Sequence, residues 1–384
     1  MNRSVAHFPI HPIHHWLEAA ALWLKKNIVL CIAAVLALIT SCIVPPDAEY
    51  ASYFDWKTLS CLFSVLAVVC ALKNIRFFTV LARKIVSLTG NLRTAVLALV
   101  YITFIGSMLI ANDMALLTFL PLGFFVLNAT GKERYMASVF ILQNIAANLG
   151  GMLTPFGNPQ NLYIYSYFGI PTLEFMRIML PAFLMAVTMI TVCCLFFPKD
   201  AVQLRDTYDV RLSPKRTVFY LALFAVAIIM VFRVLPYVIG LLIVLFGILL
   251  SDRRALRMVD YPLLMTFVCF FIFAGNMSRI PAVNQLLTAL MEKNPLLVSV
   301  ASCQVISNVP SAILLSRFTG DYQSLLLGVN IGGTGTLIAS LASLITFREY
   351  TTHNPDKSGY YIKLFSAFNF GFLIVLTVFS MFIR

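Results

Sequence analysis

Two matching stretches of the sequence carry residues that are suited to binding a small ion. Residues 148–158 read NLGGMLTPFGN and residues 330–340 read NIGGTGTLIAS, so an Asn, two Gly and a Thr recur at the same spacing, and further on Asn161 aligns with Ser343. Clustered glycines, with Pro159 in the first copy, break a helix and free its carbonyl oxygens for a cation and its N–H groups for a carboxylate. Because Asn side chains supply both a donor and an acceptor, each stretch predicts an ion or substrate site.

A polar cluster also lies upstream of each stretch, inside an apolar segment. Asn112 and Asp113 lie at the centre of 94–130, and Asn308 lies within 295–318. Such interruptions predict that each segment forms two short half-helices, folded back as a re-entrant hairpin with a polar tip. One hairpin tip and one broken helix in each half of the chain then form a shared site.

Asp113 is the single carboxylate that the sequence places deep in an apolar segment. An ionisable residue in such a place is costly and usually functional, so Asp113 is predicted to bind Na⁺ or to carry a proton. A structural interpretation stays open, in which Asp113 caps the half-helix by accepting backbone N–H bonds. Arg317 and Asp321, which flank the second hairpin, are interpreted as interfacial residues.

The elements that position these residues are apolar segments long enough to cross a bilayer. The chain has 384 residues, of which 60% are hydrophobic and 11% charged, whereas a soluble chain is ~45–50% apolar and ~25% charged. This composition excludes a soluble enzyme, a disordered protein and a nucleic-acid-binding domain. Apolar runs of about 17 residues or more cross a bilayer as helices, so an all-α polytopic membrane protein is predicted. The nine predicted crossings are 28–44, 57–73, 136–165, 178–197, 217–233, 235–250, 261–277, 322–347 and 363–383.

The distribution of basic residues predicts the orientation of the chain. With the N-terminus in the cytoplasm and each hairpin returning to its own side, 21 of the 28 Lys and Arg residues fall in cytoplasmic segments. This bias follows the positive-inside rule and places the C-terminus outside. It also explains the net charge of +12 by basic loops that face anionic lipid, with no need for a nucleic-acid partner.

The order of segments is the same in both halves of the chain: span, amphipathic linker, hairpin, broken span and span. Asp55 and Trp56 open the first copy as Asp260 and Tyr261 open the second. The first copy enters the membrane from the cytoplasm and the second from outside, which predicts an inverted-topology repeat of the kind that builds secondary transporters.

The motifs allow three other interpretations. Clustered Gly residues also occur where helices pack closely, although matched motifs beside polar tips favour a binding site. An intramembrane enzyme needs a catalytic pair or a metal cluster within the membrane, yet no His lies in a predicted span, so the protein is predicted not to be an enzyme. An open channel is disfavoured because paired inverted sites are typical of alternating access.

Four motif blocks, in the same order, resemble the ion transporter superfamily, which includes divalent anion/sodium symporters, citrate transporters, arsenite permeases and one branch of sodium/proton antiporters. The blocks are ANDMALLTFLP (111–121), GGMLTPFGNPQNL (150–162), ISNVPSAILL (306–315) and NIGGTGTLIASLAS (330–343). The resemblance covers most of the chain. It implies an elevator, in which hairpins and broken helices move as a unit against a scaffold that also forms a homodimer interface. In the divalent anion symporters each tip carries Ser-Asn-Thr; here the tips read Ala-Asn-Asp and Ser-Asn-Val, closer to the other branches.

The resemblance implies a secondary active transporter for a small anion, a di- or tricarboxylate, coupled to Na⁺ or H⁺ and needing no other cofactor. Arsenite or oxyanion export and Na⁺/H⁺ exchange are alternatives on the same fold. Its partners would be the anion, the lipid of the inner (cytoplasmic) membrane and a second copy of the chain. The implied substrate-binding residues are Asn112, Thr154, Pro155, Asn308, Val309 and Thr336. The implied ion-binding residues, which would hold Na⁺ if it is the coupling ion, are Asp113, Gly150, Gly157, Asn158, Asn161, Ser307, Gly332, Ser340 and Ser343.

The predicted domain organisation follows from the repeat and from this resemblance. The parts are a cytoplasmic N-terminal segment (1–27), a scaffold part (28–93) and a transport part (94–198) of the first copy, a cytoplasmic linker (199–216), and a scaffold part (217–293) and a transport part (294–384) of the second copy.

Overall fold

The computed structural model describes residues 27–201 and 212–383. Within these ranges the secondary structure is helical, with eighteen α-helices and four short 3₁₀-helices. The expectation of an all-helical protein is therefore confirmed for the described part of the chain. Most of the predicted N-terminal segment and residues 202–211 of the predicted linker lie outside the described residues.

The helices fall into two runs separated by the linker. The first run is α1 (Ile28–Ile43), α2 (Trp56–Asn74), α3 (Phe77–Ser87), α4 (Leu92–Ile110), α5 (Asn112–Ala129), α6 (Met136–Gly150), α7 (Pro159–Tyr167) and α8 (Thr172–Leu195). The second run is α9 (Pro214–Val231), α10 (Tyr237–Ser251), α11 (Arg253–Arg257), α12 (Tyr261–Arg279), α13 (Pro281–Lys293), α14 (Pro295–Ile306), α15 (Asn308–Leu315), α16 (Tyr322–Ile331), α17 (Leu341–His353) and α18 (Ser358–Phe382).

Eight helices of the described chain are long and apolar enough to cross a membrane. Six of them correspond to predicted crossings, and the other two, α4 and α5, are the arms of the first hairpin. The remaining predicted crossings are shorter: α1 and α10 have 16 and 15 residues, and α16 and α17 divide the second broken span. The protein is thus a polytopic membrane protein by its helices, and the count of nine crossings stays a prediction.

The first hairpin differs from the expectation of two short half-helices. Its arms have 19 and 18 residues, because the predicted segment 94–130 is long enough for a full helix on each side of the tip. A capping box between Asn91 and Thr94 starts the first arm at Leu92. The second hairpin is short, as expected, with arms of 12 and 8 residues. Since two long antiparallel arms return the chain to its starting side just as a re-entrant hairpin does, the count of basic residues on each side is unchanged.

The helices from α2 to α8 and from α12 to α18 follow the same order. Asp55 begins α2 by accepting the N–H of Thr58, and Asp260 begins α12 by accepting the N–H of Leu263. A short helix, a hairpin, a divided helix and a long helix follow in each run. The predicted internal repeat is therefore visible in the element order.

The divided helices lie in the interior of the described molecule. All but one of the residues of α6 are buried, as are most residues of α7 and α16. A helix that is buried on every side belongs to the core of a large protein. In contrast, α1, α8, α9, α10 and α18 expose large apolar side chains, such as Leu184 and Phe246, which suit contact with lipid. The core therefore places the two helix breaks at the centre of the protein.

Candidate functional site

The two hairpin tips adopt the same unusual backbone conformation. Ala111 has φ 65° and ψ 152°, and Ser307 has φ 73° and ψ 162°. A residue with a side chain in this region costs about 1–3 kcal/mol, which the surrounding packing must offset. Both residues immediately precede the Asn that starts the second arm, so the two tips are built in the same way.

The Asn that follows each strained residue orients the tip. Asn112 Oδ1 accepts the N–H of Asp113 at 2.9 Å, and Asn308 Oδ1 accepts the N–H of Val309 at 2.9 Å. At the start of α5 the backbone N–H is thus accepted by Asn112, and no described hydrogen bond supports the interpretation of Asp113 as a cap. Asp113 Oδ1 is buried without a hydrogen-bond partner, which leaves this carboxylate available for a cation or a proton.

A threonine ties each helix break to the hairpin of its own half. Thr154 Oγ1 donates to Met108 O at 2.8 Å, and Thr336 Oγ1 donates to Gln304 O at 3.1 Å. Met108 and Gln304 each lie four residues before the tip Asn. These two predicted substrate-binding threonines therefore hold the breaks against the hairpins through matching bonds.

The first break leaves no room for side chains on its glycines. A Cβ on Gly151 would overlap Asn158 Oδ1 and lie 2.8 Å from Gly157 O. A Cβ on Gly157 would lie 2.7 Å from Thr154 Oγ1. The turn between α6 and α7 is therefore folded tightly on itself, and Asn158 lies at the start of α7.

Asn148 connects three of these elements. Its Oδ1 accepts from Asn112 Nδ2 at 3.0 Å and from Ser340 Oγ at 2.8 Å, and its carbonyl accepts from Asn158 Nδ2 at 3.1 Å. The side chain is only 2% exposed, and its Nδ2 has no hydrogen-bond partner. A buried donor without a partner is rare, and it points to a ligand that accepts a hydrogen bond at this place.

The contacts between the two breaks are reciprocal. Asn148 bonds to Ser340 of the second copy, and its counterpart Asn330 bonds through Oδ1 to Asn158, the counterpart of Ser340, at 3.3 Å. Asn330 Nδ2 also donates to Asn161 Oδ1 at 2.6 Å. Two copies related by a local two-fold axis produce such paired contacts.

The second hairpin tip is hydrogen-bonded to the second helix break. The N–H of Asn308 donates to Ala339 O at 3.0 Å, and Ser307 Oγ donates to the same oxygen at 3.3 Å. A Cβ on Gly333 would lie 3.1 Å from Asn308 Nδ2 and 3.8 Å from Asn148 Oδ1. The N-termini of α5, α7, α15 and α17 therefore meet around one network of amides and hydroxyls.

The other predicted site residues lie beside this network or serve in packing. Ser343 Oγ accepts from Asn144 Nδ2 at 3.3 Å, next to the network. A Cβ on Gly150 would lie 2.6 Å from Ser107 Oγ, and one on Gly332 would lie 2.8 Å from the Cβ of Cys303. Gly150 and Gly332 thus allow broken helices to pack closely on hairpin arms. For Pro155 the structure shows no polar role among the described contacts.

Sequence reasoning missed several residues of the network. Asn148 and Asn330 are identical in the two aligned copies, and this identity was a sufficient reason to include them. Asn144 and Gln304 gave no such indication. Gln304 lies in the first arm of the second hairpin, where the first hairpin has Met108, so the repeat could not point to it.

Divided helices at the centre of a polytopic membrane protein are typical of secondary transporters. Residues 18–320 match the profile of the citrate transporter family, and the chain belongs to that family. The resemblance to the ion transporter superfamily is therefore confirmed.

Three relatives illustrate the range of the comparisons. A transporter of Methanocaldococcus jannaschii, named as uncharacterized, is 30% identical over 349 residues, which are 90% of this chain and 94% of the relative. The inner membrane protein YbiR of Escherichia coli is 31% identical over 77% of this chain and 80% of its own. The silicon efflux transporter LSI3 of Oryza sativa is 32% identical over 43% of this chain and 34% of its own.

Proposed function

We propose that this protein is a secondary active transporter that moves a small anion, a di- or tricarboxylate, across the cytoplasmic membrane by coupling to a cation, Na⁺ or H⁺. One observation carries the proposal: a single network joins both hairpin tips to both helix breaks, and Asn148 Nδ2 is left in it without an acceptor. A carboxylate oxygen of a substrate is the acceptor that this donor lacks.

The helix N-termini favour an anion at the network. Each helix N-terminus carries a positive partial charge of about half an elementary charge, which comes from N–H groups that have no partner in the helix. The N-termini of α5, α7, α15 and α17 meet at Asn112, Asn158, Asn308 and Ser340. Together they favour a ligand with more than one negative charge, as a di- or tricarboxylate has.

Coupling to a cation is assigned to Asp113. Asp113 directly follows Asn112, which donates to Asn148, and the Oδ1 atom of Asp113 is buried without a partner. A proton or Na⁺ on this carboxylate removes a negative charge from the neighbourhood of an anion, so the cation and the anion bind better together than apart.

An elevator motion is proposed for the two hairpins and the two divided helices, which bond to one another and so form one unit. Two arginines contribute to the contacts between this unit and the proposed scaffold. Arg317 Nη2 donates to Tyr53 O at 3.1 Å, and the Arg233 guanidinium lies 4.1 Å from the centre of the Tyr165 ring. The inverted repeat, the domain limits, the homodimer and the termini, N inside and C outside, belong to the same proposal; the reciprocal Asn contacts support the repeat.

Uptake into proteoliposomes tests the proposal. The panel is labelled succinate, citrate, sulfate and arsenite, each offered under an inward Na⁺ gradient, under a pH gradient and under neither. Accumulation of a di- or tricarboxylate that requires one gradient is the expected result. Accumulation of none of the panel under any gradient, from a protein that is folded in the vesicles, would contradict the anion assignment.

Export of an oxyanion or of a small hydroxylated acid is the second candidate. The network consists of amides and hydroxyls, which also suit a ligand rich in O–H groups. The partial match to a silicon efflux transporter points in the same direction. Loss of preloaded arsenite or silicic acid from vesicles, together with no carboxylate uptake, would favour this function.

A further inference from the structure

The carbonyl groups freed by the first break converge on one nitrogen atom. Asn161 Nδ2 lies 3.1 Å from Gly151 O, 3.3 Å from Met152 O and 3.3 Å from Thr154 O. Asn161 is fully buried, and its Oδ1 is held by Asn330 Nδ2, which fixes the direction of the amide. The carbonyl oxygens that a cation would need at this break are therefore already bonded to a neutral NH₂ group.

The second break has the same arrangement, built from a different element. Gln304 Nε2 lies 2.9 Å from Gly332 O and 3.1 Å from Thr334 O. The Oε1 atom of the same amide accepts the N–H of Thr336 at 2.9 Å, so the side chain is held at both ends. An NH₂ group again occupies the place where the freed carbonyls converge.

The two amides come from positions that the repeat does not relate. The counterpart of Asn161 in the second copy is Ser343, and the counterpart of Gln304 in the first copy is Met108. One amide comes from the helix after the break and the other from the hairpin arm before it. The two carbonyl clusters are thus each bonded to an amide NH₂ group, although the two amides come from different elements.

The energetics favour the amide over a metal ion at both breaks. A cluster of buried carbonyl oxygens needs a positive partner, because buried polar groups without one are costly. An amide NH₂ satisfies the cluster without bringing a full charge into the interior. To enter, Na⁺ would have to lose its water and also displace the amide, which would leave that amide unpaired.

We propose that Asn161 and Gln304 determine ion specificity: they fill both carbonyl clusters and keep Na⁺ out of them, so that coupling does not use Na⁺. The exclusion of Na⁺ stands by itself, and the statement about coupling rests on the proposed function.

Thermal unfolding of the purified full chain tests the exclusion of Na⁺. The wild-type protein in detergent is heated in NaCl and in KCl over the same range of concentrations. A ligand that binds only the folded state raises Tm with its concentration. The expected result is the same Tm in both salts; a Tm that rises progressively with NaCl concentration, and does not rise with KCl, overturns the proposal.

Two variants test the role of the amides directly. Gln304→Glu and Asn161→Asp keep the shape of the side chain and replace the NH₂ group by a carboxylate oxygen, which turns each cluster into a set of oxygen ligands for Na⁺. Each variant is expected to have a higher Tm in NaCl than in KCl, which the wild-type protein does not have. The absence of this gain in both variants contradicts the assignment, and a variant that does not fold leaves the wild-type comparison to decide.

Gln143→Glu is the matched control. Gln143 is fully buried and donates through Nε2 to Thr103 Oγ1 at 3.0 Å and to Phe119 O at 3.2 Å, away from the breaks. Its variant carries the same charge change, and we expect no difference between NaCl and KCl. A Na⁺ response of equal size in this control would show a general effect of buried charge and would overturn the specific role of Gln304.

The transport assay separates this inference from the proposed function. Substrate accumulation that needs a pH gradient and is equal with and without Na⁺ supports both. Accumulation that needs a Na⁺ gradient keeps the transporter function and overturns the inference. If no substrate of the panel accumulates, the proposed function alone is contradicted, because the salt dependence of Tm still decides whether Na⁺ binds.

Discussion

Asn148 shows how much of the site depends on a single side chain. It accepts hydrogen bonds from the first hairpin tip and from the start of α17, and its remaining N–H group points to a ligand. Its neighbours in the network are also Asn and Ser, which carry no net charge. Recognition by such a set depends on the direction of each hydrogen bond, so the loss of one amide affects the whole site.

Asn148→Ala is expected to reduce transport at least tenfold. The change removes the free donor and leaves Asn112 Nδ2 and Ser340 Oγ without their shared acceptor, and each unpaired buried donor costs about 1–3 kcal/mol. Uptake by proteoliposomes and Tm are measured together. Asn369→Ala is the control, because Asn369 is fully buried but donates within its own helix, to Phe365 O at 3.0 Å. Equal losses of uptake in the two variants would contradict the role of Asn148.

Asp113→Asn is expected to abolish the pH dependence of transport. The amide has the shape of the carboxyl group but does not titrate, so it cannot release a proton on the other side of the membrane. Uptake is measured across a series of pH values on both faces of the vesicle. Asp321→Asn is the control, because Asp321 caps α16 by accepting the N–H of Ser324 at 3.0 Å. An unchanged pH profile in Asp113→Asn would reject Asp113 as the proton carrier.

Among the structural elements, each helix break has a fixed structure of its own. The turns between α6 and α7 and between α16 and α17 are fixed by threonine bonds to the hairpins and by close backbone contacts at glycines. The hairpin tips are fixed by the conformations of Ala111 and Ser307. Strain of this kind persists only where the surrounding contacts over-determine it, and it is typical of ligand sites.

Gly151→Ala is expected to lower stability by about 1–3 kcal/mol, as overpacking does, and to abolish uptake. The new Cβ would overlap Asn158 Oδ1 and push α7 away from the network. The comparison is Gly371→Ala in α18, where a Cβ meets nothing within 4 Å and helix propensity favours Ala. Normal uptake by Gly151→Ala would show that the tight turn is not needed for the site.

Asp200, just after the end of α8, bonds to the start of α4 and to the turn after α5. Its Oδ2 lies 2.6 Å from Lys132 Nζ, and its carbonyl accepts the N–H of Leu92 at 2.8 Å. The hydrogen bond from Lys132 holds the pKa of the Asp200 carboxyl below its usual value of 3.8. A lowered pKa gives a contribution to stability that is complete above the usual pKa and is lost as pH falls through the lowered one.

Asp200→Asn tests this connection. Above pH 3.8 the variant is expected to have a lower Tm than the wild type, and the difference should disappear as the pH falls below that value. Thermal unfolding over a pH series measures it, and Asp356→Asn in the exposed turn before α18 is the control. A difference in Tm that persists in acid would assign the effect of Asp200 to something other than its ion pair.

For the whole molecule, the central prediction is that the two copies are inverted with respect to the membrane. Gly90 and Lys293 are exposed at equivalent places, one residue before Asn91 and Asn294, which cap the first arms of the two hairpins. An inverted repeat puts these two positions on opposite sides, and the positive-inside rule puts Gly90 in the cytoplasm.

Single cysteines at the two positions measure this arrangement, in a background without the eight native cysteines. A thiol reagent that does not cross membranes is expected to label Lys293→Cys in intact cells, and to label Gly90→Cys only after the cells are opened. Labelling of both positions from the same side would contradict the inverted repeat.

The sequence by itself determined the class of the protein, the helices and the places where they break. Apolar length, glycine clusters and proline act locally, so 136–165 and 322–347 were recognisable as broken spans, and both polar tips lay where the structure has them. The bounds of the first hairpin were predicted to within two residues, but its arms are full-length helices and not short half-helices.

Only the tertiary structure decided which polar groups meet. Asn148 and Ser340 are 192 residues apart in the chain, and no local pattern predicts that they share a hydrogen bond. The same holds for Gln304, whose amide reaches a break 28 to 30 residues further along the chain. Such pairings arise when packed helices bring distant side chains into a common buried space, where each donor must find an acceptor. The sequence therefore located the hairpin tips and the helix breaks, and the packing of the helices decided which of their polar groups meet.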